Sequence, residues 1–258
     1  MGPETAKPWS RRDTLGTVLL VDEESAGVTS ERPASSDLSS WGTFRRVKIA
    51  TAAPLPPDPT ALQRLPLSFY ARDCLDVGPE CIGKLLVHES KEGIAAGRIV
   101  ECEAYRGPED QAAHSHKGRR TARTEVMFGP PGHAYMFLLY GVSWALNLVT
   151  GKEGEPQVVL IRAIEPVLGL DLMAKRRGIA ATRKEIGNGP GKLCQALGLD
   201  RRLYGADLVN GALYLAEGAA GPVATSARIN IDYAGDWIDK PWRYYERNNR
   251  HVSVPPRI

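Results

Sequence analysis

From Arg98 to Tyr105 the chain alternates strictly enough to predict a strand and to sort its two faces. Successive side chains on a strand point to opposite sides, so Val100, Cys102 and Ala104 share one face, while Ile99, Glu101, Glu103 and Tyr105 share the other. The first set suits a core. The second places two carboxylates beside an aromatic, just before a Gly107-Pro108 turn. The pair His114-Ser115-His116 follows, and then the basic run Lys117-Gly118-Arg119-Arg120-Thr121-Ala122-Arg123, which holds no acidic residue. A solvated strand face is the ordinary explanation of such carboxylates. The functional explanation is a cleft in which one glutamate acts as general base on water. An acid, an aromatic, a histidine and a cluster of positive charge in one stretch point to hydrolysis on a polyanion. The pattern does not choose between Glu101 and Glu103.

Around this strand the chain divides in two. Residues 1 to about 62 are rich in Ser, Thr, Ala and Pro, and Ala53-Pro54-Leu55-Pro56-Pro57-Asp58-Pro59 sustains neither a helix nor a central strand. A disordered arm is expected there, stiffening into an extended linker. From residue 63 to the end the pattern is globular. Residues 66–75 lead into a short helix that Gly78-Pro79 should break. Strands are expected at 85–88, 93–104, 158–162, 212–215 and 227–231, and a hairpin at 134–139 and 142–149. Helices are expected at 166–177, with Lys175-Arg176-Arg177 at its carboxyl end, and at 192–197 after Gly189-Pro190-Gly191. Strands dominate and βαβ alternation is weak. This predicts an α+β fold, a single domain with a curved, mainly antiparallel sheet and surrounding helices.

With 258 residues, 43% hydrophobic and 24% charged, the chain can bury a good core. The formal net charge of +3 is small, so nucleic-acid contact would rest on local clustering. Cys74, Cys81, Cys102 and Cys194 form no C-x-x-C pair and show no zinc-finger spacing, which predicts reduced, buried thiols and no metal site. Ser10-Arg11-Arg12-Asp13 is a weak twin-arginine pattern without an adequate apolar run after it. The apolar run 134–149 is shorter than a membrane span and is interrupted by Tyr140-Gly141 and Asn147. No membrane association is expected. The compartment would be cytoplasmic in a bacterium and nuclear in a eukaryote.

Three residues are out of place for a plain core. Tyr140 sits at the hairpin turn Leu139-Tyr140-Gly141-Val142, where Asn, Asp and Gly are usual. Either the tip folds back on the core, or Tyr140 is a wedge of the kind that unstacks base steps. Asn147 and Arg162 each lie in an otherwise apolar strand, where an unpaired polar group is costly. They pair with each other or with Glu103, or they line a polar pocket.

At these residues the chain resembles the alkyladenine (3-methyladenine) DNA glycosylase family of the mammalian type. The resemblance is carried by Arg98-Ile99-Val100-Glu101-Cys102-Glu103-Ala104-Tyr105, Gly107-Pro108-Glu109-Asp110, Ala112-Ala113-His114-Ser115, Met127-Phe128, Tyr140-Gly141 and Asn147. It continues through Leu160-Ile161-Arg162-Ala163, Glu165-Pro166, Gly189-Pro190-Gly191-Lys192-Leu193-Cys194-Gln195-Ala196-Leu197 and Lys240-Pro241. These segments run in family order over roughly residues 66–255.

The resemblance implies an α+β domain with a protruding hairpin and no cofactor. It implies Glu103 as the base that activates water and Arg162 as the group that holds the water and the carboxylate. It implies a base pocket walled by Tyr105, His114 and Phe137, with Asn147 clashing with the exocyclic amine of normal guanine and Tyr140 filling the gap left by a flipped nucleotide. Lys117, Arg119, Arg120 and Arg123 suit phosphates without sequence preference. The expected partner is double-stranded DNA with damaged purines (3-methyladenine, 7-methylguanine, hypoxanthine, ethenoadenine), bound by a monomer, and the expected product is an abasic site. Two departures from the pattern stand out: Phe137, where the family often has Tyr, and Gly191, where Ser is expected. Two other readings share part of the chemistry. A small-molecule nucleoside hydrolase has no use for Tyr140 or the basic run, and a non-catalytic nucleic-acid-binding protein has no use for the acid.

Overall fold

Alternating strands and short helices build residues 62–254, the span that a computed structural model of the chain describes. The predicted arm lies outside the described residues as far as residue 61. The helices are α1 (Leu67–Tyr70), α2 (Cys74–Cys81), α3 (Leu170–Arg177) and α4 (Pro190–Leu197). The strands are β1 (Leu85–Ser90), β2 (Gly93–Arg106), β3 (Ala134–Leu139), β4 (Ser143–Thr150), β5 (Gln157–Leu168), β6 (Leu213–Ala216), β7 (Val223–Ser226) and β8 (Arg243–Glu246). They form one eight-stranded sheet in the order β3-β4-β5-β2-β1-β6, with β8 joining β2 to β7. Every strand pair is antiparallel. The α+β architecture is the one the pattern predicts. No helix among the described residues is long and apolar enough to cross a membrane.

One face of the sheet is the core. Leu86, Cys102, Ala104, Leu146, Leu148, Val159 and Ile161 pack there against Val77 of α2, Met173 of α3 and Leu193 and Leu197 of α4. Each fully buried Leu or Ile contributes about 1.5–3 kcal/mol. The four cysteines are buried and unpaired, and burial pushes each thiol upward, which leaves them inert.

The alternation on β2 holds from Glu101 onward but fails before it. Ile99, expected on the face of the carboxylates, lies in the core with Cys102, three residues away. Two facing irregularities explain this. Ile99 pairs with Ile164 and Glu101 with Ala163, which leaves Val100 as an extra residue on β2. Cys102 then pairs with Ile161, which leaves Arg162 as an extra residue on β5. One bulge on each strand restores the register between them, and each switches the faces of its own strand. Ile161 and Ile164 are both core residues for the same reason.

Other expectations need correction. Gly78-Pro79 does not break α2. The ring of Tyr244 packs where a Cβ at residue 78 would lie, 2.6 Å away, and Cys102 Sγ donates to the Gly78 carbonyl at 3.1 Å, so tertiary contacts hold the turn. The helix expected from residue 166 begins at Leu170. β5 continues to Leu168, and Gly169, at φ 72, makes the change of direction. The strand expected at 227–231 is a loop and β7 ends at Ser226, because Arg228 and Ile229 direct their hydrogen bonds to the loop after β2 and to Glu103 instead of to a strand.

Candidate active site

The face opposite the helices carries Glu101, Glu103 and Tyr105 from β2, Tyr135 and Phe137 from β3, Asn147 from β4 and Arg162 from β5. Loops 107–133 and 227–242 cover it. Between them lies a cavity of about 460 Å³, within the range of small-ligand sites. Tyr105, His114, Phe137, Asn147, Arg162 and Tyr140 all line it. The structure therefore brings together the residues that the sequence reading scattered over three segments.

Both carboxylates are completely buried, which rules out the solvated-face explanation. Their hydrogen bonding separates them. Glu101 Oε1 accepts from Arg162 Nε at 3.2 Å, from Arg243 Nε at 2.8 Å and from Ser253 Oγ at 2.9 Å. Its Oε2 accepts from the Ser253 amide at 2.6 Å. A carboxylate offers about four acceptor sites, and four donors reach Glu101, three of them on Oε1. Glu103 accepts from Tyr105 Oη at 2.8 Å and Arg162 Nη1 at 3.2 Å on Oε2, and from the Ile229 amide at 2.8 Å on Oε1. About one acceptor site remains on Oε1. Glu103 does not itself line the cavity; the three residues that hold it do.

Burial opposes the Arg162 cation, but Glu103 and Glu101 outweigh that cost and raise its pKa. Burial, and then the charge of Glu103, push the Tyr105 hydroxyl well above the ordinary tyrosine value, so it stays a proton donor toward the carboxylate. Behind it, Arg228 and Asp110, both with fully buried side chains, form a two-pronged pair at 2.5 and 2.9 Å, and the guanidinium lies 4.7 Å from the Tyr105 ring centre. The pair joins the loop after β2 to the loop that carries Ile229.

The aromatic walls brace one another. The His114 ring meets Phe137 edge-on, centres 4.6 Å apart, and Phe137 stacks on Tyr135 at 5.6 Å. His114 Nδ1 lies 2.8 Å from Tyr135 Oη. Burial first, then the charges of Arg123 and Arg119, push the His114 pKa down to about 4, so the imidazole is neutral at neutral pH. Asn147 Nδ2 donates to the Tyr135 carbonyl at 3.2 Å, which fixes the side-chain amide at the cavity wall. Asn147 therefore lines the pocket and does not pair with Arg162 or Glu103.

At the hairpin tip Tyr140 is 84% exposed, so it does not fold back on the core. Tyr140 at φ 50 and Gly141 at φ 73 form the bend, closed by the Val142 amide to the Leu139 carbonyl at 2.9 Å. Val142 is exposed beside it. Lys117, Arg119, Arg120 and Arg123 are all exposed. They are not equivalent: Arg123 lines the cavity, whereas Arg120 is paired with Glu125, just beyond the basic run, at 2.6 Å and lies over Phe128.

Four participants escaped the sequence reading. Tyr135 shares a strand face with Phe137, two residues on, so alternation along the predicted hairpin carries a signal for it beside the residue that the resemblance singles out. Glu101 was read as a rival of Glu103 and proves to be its neighbour through Arg162. Ile229 acts by its backbone, which no side-chain pattern signals. Tyr233, 69% exposed and also lining the cavity, lies in a segment just past a stretch read as strand.

Known proteins fit this arrangement. The family model described as methylpurine-DNA glycosylase matches residues 68–250. A protein of Desulfitobacterium hafniense provisionally named 3-methyladenine DNA glycosylase is 47% identical over 202 residues, 75% of this chain and 100% of the relative. Proteins with the same provisional name from Methanocella arvoryzae and Clostridium acetobutylicum are 48% and 43% identical over 73% and 72% of this chain, and over 95% of each relative. A family match over residues 68–250 and relatives nearly half identical along almost their whole length show that the chain belongs to the methylpurine-DNA glycosylase family and is a DNA glycosylase.

Proposed function

We propose that this protein removes damaged purines from double-stranded DNA by hydrolysing the N-glycosidic bond with a water activated by Glu103. The substrate range is 3-methyladenine, 7-methylguanine, hypoxanthine and ethenoadenine. The observation that carries the reading is the single acceptor site left on Glu103, directly behind the cavity wall formed by Tyr105, Arg162 and Ile229.

The target bond lies inside a stacked duplex, so the nucleotide must first be extruded, at a cost of a few kcal/mol. Exposed Lys117, Arg119 and Arg123 hold phosphates, and Arg120 joins them where its pairing with Glu125 yields. Tyr140 occupies the gap in the stack. The extruded base enters between Tyr105, His114 and Phe137, where stacking returns about 1–3 kcal/mol. A neutral His114 suits a cationic lesion, which gains a cation–π contribution from the rings and meets no like charge on the imidazole. Asn147 stands at the cavity wall beside the base edge, where its fixed amide leaves no room for the exocyclic amine of a normal guanine.

Water sits at the cavity floor within reach of Glu103 Oε1. As the C1′–N bond breaks, the leaving base keeps the bonding pair, and the sugar develops oxocarbenium character that the carboxylate stabilises. The water oxygen bonds to C1′ and its proton passes to Glu103. An alkylated purine leaves as a neutral base and the proton on Glu103 returns to solvent, whereas hypoxanthine and ethenoadenine leave as anions that take up that proton. No lysine stands in the position of Glu103, so no Schiff base forms and the product is an abasic site with the strand intact. Glu103→Gln should abolish base release from hypoxanthine and alkylpurine duplexes while binding to an abasic-analogue duplex persists. A variant that excises at the parental rate would overturn the reading, and absence of duplex binding by the parent protein would favour a small-molecule nucleoside hydrolase.

A further inference from the structure

Resting on that reading, we propose that Glu101 is a positioning residue for the reaction, and that the carboxy-terminal segment through Ser253 completes the active site by clamping it. Glu101 is completely buried and, like Glu103, does not itself line the cavity; Arg162, which does, bridges the two. The Arg162 guanidinium is stretched between the two, with Nε on Glu101 and Nη1 on Glu103, each at 3.2 Å. One contact alone leaves a guanidinium free to pivot. Two contacts on opposite carboxylates fix its plane, and with it the Oε2 side of Glu103.

What fixes Glu101 comes from far along the chain. Arg243, on β8 directly across from Glu103 in the ladder, donates to Glu101 Oε1 at 2.8 Å. Ser253 donates twice, by its amide at 2.6 Å and its hydroxyl at 2.9 Å. Arg243 in turn bonds Ser226 Oγ at 3.2 Å and the Val254 carbonyl, which ties β7 and the terminal segment into the same cluster. Two carboxylates and two guanidiniums balance in charge, and each oxygen of Glu101 is accounted for. The order of contact is Ser253, Glu101, Arg162, Glu103. A displacement started at Ser253 is delivered to the base.

The test uses the full-length protein with Glu101→Gln, Ser253→Ala and Ser253→Thr. Single-turnover excision from a hypoxanthine duplex reads the chemistry, and affinity for an uncleavable abasic-analogue duplex reads binding. Misplacement of a catalytic group by about an ångström can cost about a hundredfold, so Glu101→Gln should slow excision by about 10- to 100-fold and Ser253→Ala by about 3- to 10-fold. Ser253→Thr keeps both donors and should restore the parental rate. Affinity should stay within about twofold throughout, because none of these groups lines the cavity. Glu101→Gln leaves two buried guanidiniums short of a charge and can fail to fold; Ser253→Ala then carries the test. Ser253→Ala excising at the parental rate overturns the proposal, and so does a parallel loss of rate and affinity, which would mark the cluster as general support for the fold. A parent protein that releases no base at all would overturn the glycosylase reading, and this proposal with it.

Discussion

Gly191 stands at the second position of α4, where the family resemblance leads one to expect serine, and the structure gives a reason that can be measured. A Cβ at residue 191 would lie 2.6 Å from Ser143 Cβ and 3.0 Å from its Oγ. Carbon atoms pack best at about 3.5–4.0 Å, so Gly191→Ser forces α4 and β4 apart by about an ångström. Neither can retreat. The far side of α4 buries Leu193, Cys194, Ala196 and Leu197, and Ser143 is the first residue of β4, paired across the hairpin with Leu139. Overpacking of this kind costs about 1–3 kcal/mol. For a body of this size each kcal/mol moves Tm by about 2–4 °C, so a fall of about 4–8 °C is the central expectation. Ser143→Gly removes the obstructing Cβ and costs about 0.5–1 kcal/mol on its own. The double variant should recover most of the loss, giving a coupling of about 1–2 kcal/mol in a cycle of the four proteins followed by thermal and urea unfolding. Excision should follow the same order, because Ser143 begins the strand that returns from Tyr140. Additive effects, or a Gly191→Ser protein as stable as its parent, would refute the argument.

Acid should weaken the fold before it reaches the carboxylate range. His88, His114 and His251 are all held below the ordinary histidine value, chiefly by burial, and His114 falls to about 4. The unfolded chain takes up protons that the folded one refuses, so stability is complete above about pH 6.5 and declines toward pH 4, with up to about 3 kcal/mol from His114 alone. Urea titrations at a series of pH values read this directly, and a flat profile across that window would exclude it. We further propose that the amino-terminal arm is dispensable for chemistry. Removal of residues 1–60 should leave excision of hypoxanthine or 3-methyladenine nearly intact, since Leu62, which packs on the cluster of Leu85 and Val87, is retained. A large loss would give the arm a part in the site.

The sequence was most legible where a side chain's own chemistry conflicts with its surroundings. Tyr140 at a turn, and Asn147 and Arg162 in apolar strands, signalled the site before any geometry was known. Alternation placed Glu101, Glu103 and Tyr105 together correctly and misplaced Ile99, because the bulge at Val100 carries no glycine or proline to mark it. Gly78-Pro79 and Pro166 misled for a related reason. Local propensity treats the first as a break and the second as the start of a helix, but Tyr244 and Cys102 stabilise the helix around the first, and the second sits in β5 opposite Gly97, beside a register shift where a missing amide is tolerated. Pattern alone does not separate Glu101 from Glu103, and only the family resemblance favours Glu103; the hydrogen-bond partners that distinguish them in the structure carry no local signal. Those partners are Arg243, Ser253 and Ile229, which approach from more than a hundred residues away in the chain.

The left-handed backbone at Tyr140 carries a kinetic consequence. Holding a residue with a Cβ in that region costs roughly 1–2 kcal/mol, and the fold meets that cost once, before any DNA is encountered. The ring stands exposed in the fold itself, so under the proposed function no microsecond-to-millisecond closure would have to precede its use. A molecule sliding along phosphates would then present every base step with the same ring already in place. How soon a step yields would become a property of the duplex, with a lesion that unstacks easily yielding first. On that proposal, selection among bases would begin in the stack itself, ahead of the pocket that reads them.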